Sequence, residues 1–303
     1  EKIGSVTVGF NLENGFNSDD GTETMSRLFG REASVHVAGK YGTLYAGRIA
    51  SVVSDSGSIG YLGDVSAFPS AFGIVGNQAG STGSAYARYD NTIAYQTPAF
   101  SGLQAAALYS FKADSKKDTT SRENSAAADR YAGAALRYKA GKAAVVLTGD
   151  MTMYGNAAKN VYHDVDNGYS FILGGNYDFG VAKAFAKVTY FDNQVNVLDS
   201  FDLISDSRDL KKAEALKGWG AEISTAVPAF GGAFLGTVGY RDAKDVDNSA
   251  TKFKRWNAAL GYAYAFSKRT SVYAAAGYAQ EKSDAQDRKA SAAQAGFGLV
   301  HKF

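Results

Sequence analysis

Cysteine is absent from the 303 residues, and proline, methionine and histidine occur only three times each. The first absence excludes disulfide scaffolds, thiolate catalysis and cysteine-ligated metals. Three histidines on separate segments (His36, His163 and His301) argue against a multi-histidine metal centre, and no cofactor is expected. An excess of one charge is missing too. Thirty-two Lys and Arg stand against 30 Asp and Glu, so no bulk positive field points to nucleic acid. Charged residues make up 20%, slightly under the ~25% of ordinary soluble proteins. No apolar run approaches the ~18 residues of a membrane helix; quiet stretches such as AAVVLTG at 143–149 end within a few residues. Nor does a secretory leader open the chain, because Glu1 and Lys2 lead directly into what reads as a strand.

Catalytic signatures are equally scarce. There is no GxSxG nucleophile elbow, Walker loop or GxGxxG placed between a strand and a helix. The segment HDVDNG (163–168) has the look of a calcium loop, but its Gly falls one position early and no properly spaced Glu follows. It reads as an acidic loop. The PAF-x-G echo at 98–102 and 228–232 is turn punctuation. No enzyme is expected.

What the chain does contain is alternation with a period of two, which places successive side chains on opposite faces of a strand. Val6, Val8, Phe10 and Leu12 oppose Thr7, Gly9, Asn11 and Glu13. Ala33, Val35 and Val37 oppose Ser34 and His36, and Tyr89, Ile93 and Tyr95 oppose Arg88, Asp90 and Thr92. Phe171 and Leu173 oppose Ser170 and Gly174, and Trp256, Leu260 and Tyr262 oppose Asn257 and Gly261. About fourteen such segments occur, most near the ~10 residues of a tilted strand crossing a bilayer. They begin near residues 4, 29, 42, 86, 103, 129, 142, 168, 181, 217, 233, 255, 271 and 290. The strands of a soluble sandwich are usually shorter, ~5–6 residues.

The connections alternate as well. Short turns at 40–41, 140–141, 180 and 267–269 take turns with polar loops at 17–26, 112–128, 193–216 and 242–253. That asymmetry belongs to outer-membrane barrels, with tight turns on one side and long loops on the other. Aromatic residues gather at segment ends (Phe16, Phe29, Tyr41, Phe191, Trp219, Phe266 among them), where interfacial girdles sit. Between Arg48 and Tyr86 lie about forty residues without alternation, uncommon in a compact fold unless functional. In a wide barrel such a segment folds inward and narrows the lumen. The fold expected is an all-β, transmembrane antiparallel barrel occupying 1–303 as one domain.

Particular stretches resemble the trimeric diffusion porins of Gram-negative bacteria, beta-proteobacterial type. VGFNLENGFN (8–17) is similar to that family's third strand, and RLFGREASVHVAGKYGTLYAGR (27–48) to its fourth and fifth. NTIAYQTPAFSGL (91–103) and YAFSKRTSVYAAAGY (264–278) resemble later hairpins, and 49–85 occupies the position of the constriction loop. The terminal GFGLVHKF, with Phe297, Leu299 and Phe303, resembles the signal read by the outer-membrane assembly machinery. The family has about sixteen strands. Its first two have no counterpart here, so the expectation is a sequence incomplete at its N-terminus. A second departure is Ala94, where the family commonly carries an Arg.

The resemblance implies a water-filled outer-membrane channel for ions and small hydrophilic solutes, a homotrimer set in lipid and lipopolysaccharide. It implies a constriction with a basic wall facing loop acids. Arg48, Arg88 and Arg137 are the candidates for the wall, with Arg31, Arg130, Lys183 and Lys187 behind them. Asp55 and Asp64 are the candidate acids, and the excess of bases favours mild anion preference. The alternatives are a substrate-specific channel, a non-conducting adhesin or anchor, a soluble β-rich binding module, and an outer-membrane hydrolase. On the face assignment, Leu173→Arg is expected to impair assembly and Gly174→Arg to be tolerated.

Overall fold

In the computed structural model of the chain, the described residues are 1–69, 72–82, 87–156, 165–195, 215–284 and 288–303. A two-residue strand, β1 (Lys2–Ile3), is followed by β2 (Val6–Glu13), β3 (Glu32–Gly39), β4 (Gly42–Ala50) and β5 (Arg88–Gln96). Next come β6 (Leu103–Ser110), β7 (Arg130–Ala140), β8 (Ala143–Met153), β9 (Gly168–Asp178) and β10 (Lys183–Gln194). The longest strands close the chain: β11 (Leu216–Ala229), β12 (Gly232–Asp245), β13 (Lys252–Ala265), β14 (Thr270–Ser283) and β15 (Arg288–His301). The only α-helix among the described residues is the single turn α1 (Ala79–Thr82). Strand order in the sheet is strand order in the chain, without crossovers. Each long strand starts within about three residues of a sequence-predicted start, as alternation alone would allow.

Turn chemistry explains the short connections. Between β11 and β12 the two-residue turn places Phe230 at φ 53° and Gly231 at φ 80°. Two successive positive φ values match the twist of an antiparallel hairpin. Gly141 (φ 54°) and Gly180 (φ 89°) do the same work after β7 and β9.

The faces are inverted relative to a soluble sheet. Leu260 (72% exposed), Val238 (61%) and Phe297 (90%) stand bare, whereas Thr237 (4%) and Asn257 (0%) are buried. In water so continuous an apolar surface would be an aggregation site; in a bilayer it is the lipid face. No helix among the described residues is long and apolar enough to cross a membrane.

Three local expectations are corrected. Tyr89 does not share the bare face of Ile93. A register irregularity between β4 and β5, with Asn91 at φ 49°, shifts the parity of the strand end. Tyr89 is consequently buried and stacked on Tyr131, ring centroids 3.8 Å apart. Phe191 is no girdle residue either; it packs with Leu216, Ala243 and Phe253 in a buried cluster. That cluster also shortens the expected 242–253 loop to 246–251, because Ala243 pairs with Phe253 and both strands continue past the apolar band.

The chain divides into two compact units. One comprises Glu1–Leu62, Ala85–Tyr138 and Thr148–Gly168; the other comprises Gly63–Ser84, Lys139–Leu147 and Tyr169–Phe303. In the first, residues 49–62 lie on the polar strand faces. Val52 rests over Gly133, where a Cβ would come within 3.0 Å of it, and Tyr131 donates to Asp150 at 2.6 Å. In the second, Phe68 and Ile74 pack on Ala259 and Ala275, and Phe72 stacks on Tyr273 at 3.9 Å. Small residues on the polar faces make room for this packing. Val65 overlies Gly174 so closely that a Cβ there would meet Val65 Cβ at 2.9 Å and Lys187 Cβ at 2.8 Å. The expected tolerance of Gly174→Arg is therefore withdrawn: that position is filled by the segment, not by water.

Candidate pore constriction

The segment that follows β4 is tied to the strands through two buried glutamates, one in each unit. Glu32, at the start of β3, accepts from the Ser58 amide at 3.1 Å and from its hydroxyl at 2.5 Å. Asn11 on β2 donates to the same Ser58 hydroxyl at 2.8 Å. Glu222, on the polar face of β11, accepts from Ser66 Oγ at 2.5 Å and Ser81 Oγ at 3.1 Å. Its cation is Lys187 of β10, Nζ 3.3 Å away, and both side chains are 0% exposed. Lys187 also donates to Gln78 O at 2.9 Å and to Thr82 Oγ1 at 2.7 Å. An ammonium with several acceptors and a carboxylate with several donors is the condition under which a buried pair is tolerated. Lys187 thus serves as a clamp on the segment carrying α1.

Among the expected wall residues, Arg137 leaves β7 on the polar face. Its guanidinium lies over the Tyr61 ring, 4.7 Å from the centroid, and donates to Gln104. Cation–π contact and an amide acceptor help to fix the guanidinium in place. Arg88 reaches Ser56 Oγ at 3.4 Å, on the turn that carries half-buried Asp55. Asp64, in the other unit, pairs with Lys139 at 2.9 Å, and its carbonyl accepts from Asn176 at 2.7 Å. Lys183 sits over the Phe185 ring at 5.1 Å.

Arg48 is placed differently. It pairs across from Ala33, two positions beyond the Val35–Ala46 pair on the bare face, so alternation sets it on that face at the strand end. Its Nη1 binds Asp90 at 2.6 Å and its Nε donates to Gly30 O at 2.7 Å. Asp90 also binds Arg27 at 2.9 Å, and Arg27 binds Asp114 at 2.7 Å. Arg48 is therefore a member of an ionic network joining the 14–31 and 111–129 connections, and its Nη1 also reaches Arg88 O at 3.3 Å. Arg31 is likewise engaged, by Glu13. His163 lies outside the described residues, as does most of 193–216.

The network has a pH signature. Burial pushes the Asp114 carboxyl up, but the amides of Lys117 and Lys116 and the Arg27 guanidinium together hold it below the ordinary value of 3.8. A carboxylate depressed on folding stabilises fully above its unfolded value and loses that contribution as pH falls through the depressed one. Amide protection at Lys116 and Lys117, normalised for intrinsic exchange, should hold above the ordinary carboxylate value and fall as pH drops through the depressed one below it. Constant protection across that range would show that the ion pair does not hold the connection.

Sequence reasoning missed the two glutamates, Tyr61, and the buried row Arg241, Arg255 and Glu281. Glu222 was legible in principle, since GAEIS puts it in phase with Gly220 and Ser224 on a polar face.

Three comparisons bear on this geometry. Residues 2–285 match the family model described as Gram-negative porin. An outer membrane porin protein of Bordetella pertussis is 34% identical over 310 residues, covering 97% of this chain and 77% of that protein. The anion-selective porin from Comamonas acidovorans superposes with a TM-score of 0.62 at 23% identity, over 99% of this chain and 86% of that one. OmpT, an outer membrane protein of Vibrio cholerae, gives 0.62 at 14% identity, again over 99% and 86%. These likenesses show the porin β-barrel fold.

Proposed function

The chain belongs to the Gram-negative porin family, and from that premise we propose that it is a general diffusion channel with a mild preference for anions. It is an integral outer-membrane protein of a family of channels, not of enzymes. The finer reading is of one barrel domain over 1–303, assembled as a homotrimer among lipid and lipopolysaccharide, passing ions and small hydrophilic solutes. The observation that carries it is the docked segment: residues 49–69 and 72–82 cover polar strand faces while the apolar faces stay bare. Water and solute then have a polar path beside a fixed narrowing.

In this reading Arg137 and Arg88 supply the basic wall, and Asp55 an opposing acid. The preference for anions is supported by the excess of basic over acidic candidates at the docked segment and by the place of Arg137 over the Tyr61 ring. Phe297, Leu299 and Phe303, all exposed near the C-terminus, are the proposed contact for the assembly machinery.

Single-channel recording in a planar bilayer under a potassium chloride gradient tests the proposal. Ohmic steps in groups of three, with a reversal potential displaced toward that of chloride, are expected. Arg137→Gln should lower the chloride-over-potassium permeability ratio about four-fold, since one charge at ~10 Å in water acts on the two ions by ~0.4 kcal/mol each with opposite sign. Silence from folded, heat-modifiable protein would reject the channel; an unmoved ratio would reject Arg137 as part of the wall.

A further inference from the structure

The bare face of the last five strands changes character towards one end. Trp219 and Tyr240 lie on it with ring centroids 5.5 Å apart, and Trp256 and Tyr278 at 5.0 Å. Such a row of indoles and phenols sits where hydrocarbon gives way to headgroups. Beyond it the outward positions turn basic. Lys217 of β11 pairs across from Lys244 of β12, which pairs in turn with Lys252 of β13. Two residues along β13, Lys254 pairs across from Lys282 of β14, and Lys282 across from Lys289 of β15. Alternation from Trp219 and Trp256 puts both rows on the bare face.

Like charges directly opposite on a sheet repel, so neither row helps the strands to pair. The acids set against the rows are Asp242, across from Lys254, and Asp284, just past β14. Asp284 lies 3.1 Å from Lys282 and 4.0 Å from Lys254. The hydrogen bond from Lys282, with the pull of Lys254 and Lys252, holds its carboxyl below the ordinary 3.8. That carboxylate is already shared. Lys217, Lys244 and Lys252 form no ion pair among the described residues.

We propose that the two lysine rows bind the phosphate groups of a lipopolysaccharide headgroup. The rows end their strands at the 246–251 and 284–287 connections, away from the short turns at 230–231 and 266–269. In outer-membrane barrels the longer connections are external, and lipopolysaccharide forms that leaflet. A phospholipid offers one phosphate to each pair of chains, whereas this headgroup holds several on a rigid sugar frame, matching ammoniums held in register. Lysine suits the task as a point charge that accepts a phosphate from many directions. The chains have a seat as well. On the membrane side of the aromatic row, Ala274, Ala276 and Ala295 floor an apolar groove walled by Phe234, Leu260 and Phe297. The site deepens the reading of a barrel set in lipopolysaccharide, and rests on it for which end faces outward.

The chain has two tryptophans, both beside the lysines, so their emission reports occupancy. Detergent-folded full-length protein should be titrated with purified lipopolysaccharide, without divalent cations. Parallel titrations use the same lipopolysaccharide stripped of phosphate, and phosphatidylglycerol. A saturable change is expected with the intact ligand and a much weaker one with the other two. Combining Lys217→Gln, Lys244→Gln and Lys252→Gln should weaken binding about a hundred-fold, each lysine beside an anionic lipid surface contributing about five-fold. Lys217→Arg, Lys244→Arg and Lys252→Arg together should keep most of the affinity. The same loss of charge beside short turns, by Lys40→Gln, Lys142→Gln and Lys268→Gln, should leave it near that of the parent. Equal affinity in the first triple variant, or for the stripped ligand, would overturn the proposal. Phosphatidylglycerol bound as tightly would overturn it too, by revealing a general anionic-lipid surface. If the first triple variant does not fold, intact against stripped ligand on the parent decides. Conductance in potassium chloride separates the two readings. A channel that conducts yet ignores the phosphates sinks only this site, and phosphate-dependent binding without current sinks only the channel.

Discussion

Lys187→Met should destabilise the folded protein by about 3–5 kcal/mol, the cost of breaking a buried pair from one side. The size follows from burial: Lys187 and Glu222 have fully covered side chains, so losing the ammonium leaves a buried carboxylate with Ser66 and Ser81 as its donors among the described residues. The methionine fills most of the volume, so the loss reports charge and hydrogen bonds and not a cavity. Adding Glu222→Gln should recover a large part, since the amide oxygen still accepts from one serine, its nitrogen can donate to the hydroxyl of the other, and no charge stays buried. Unfolding in urea from lipid vesicles measures the stability. Channel recordings should show added current noise in the single variant, because Gln78 and Thr82 lose their tie to β10. A single variant as stable as the parent would mean that water reaches the pair.

The reading of this chain from sequence worked where one physical signal sufficed and failed where two were needed. Alternation located the long strands because a period of two is set by the backbone and survives any choice of partner. It could not see the irregularity at Asn91, where one extra residue turns Tyr89 from the bare face to the covered one. Phe191 illustrates a second limit. Strand ends carry aromatics both in girdles and in clusters under extended strands, and only the pairing of Ala243 with Phe253 tells which. At the narrowing, searching for cations selected Arg48 because it precedes the loop in sequence. In space the residue belongs to Asp90, from a strand that begins forty residues later. The carboxylates that hold the docked segment, Glu32 and Glu222, meet serines 26 and 156 positions away, a separation that no local pattern encodes.

The lipid face itself can be tested at Leu173. This residue is 51% exposed at the middle of β9, pairs across from exposed Val188, and shares its face with Phe171. Leu173→Arg should cost about 2–4 kcal/mol when the protein folds into vesicles, the penalty for a cation at the bilayer midplane, while Leu173→Phe should cost little. Gly174→Arg is also expected to fail, for an unrelated reason. Any Cβ there would press within 2.8 Å of Ala186 O and of Lys187 Cβ, and within 2.9 Å of Val65. The environment separates the two mechanisms. Desolvation of an arginine needs a hydrocarbon slab, so the Leu173→Arg penalty should shrink in detergent micelles, where the side chain finds water nearby. Steric exclusion at Gly174 does not depend on the solvent outside and should persist in both. Were Leu173→Arg to fold into vesicles as stably as Leu173→Phe, the bare face of β9 would not be the face that meets lipid.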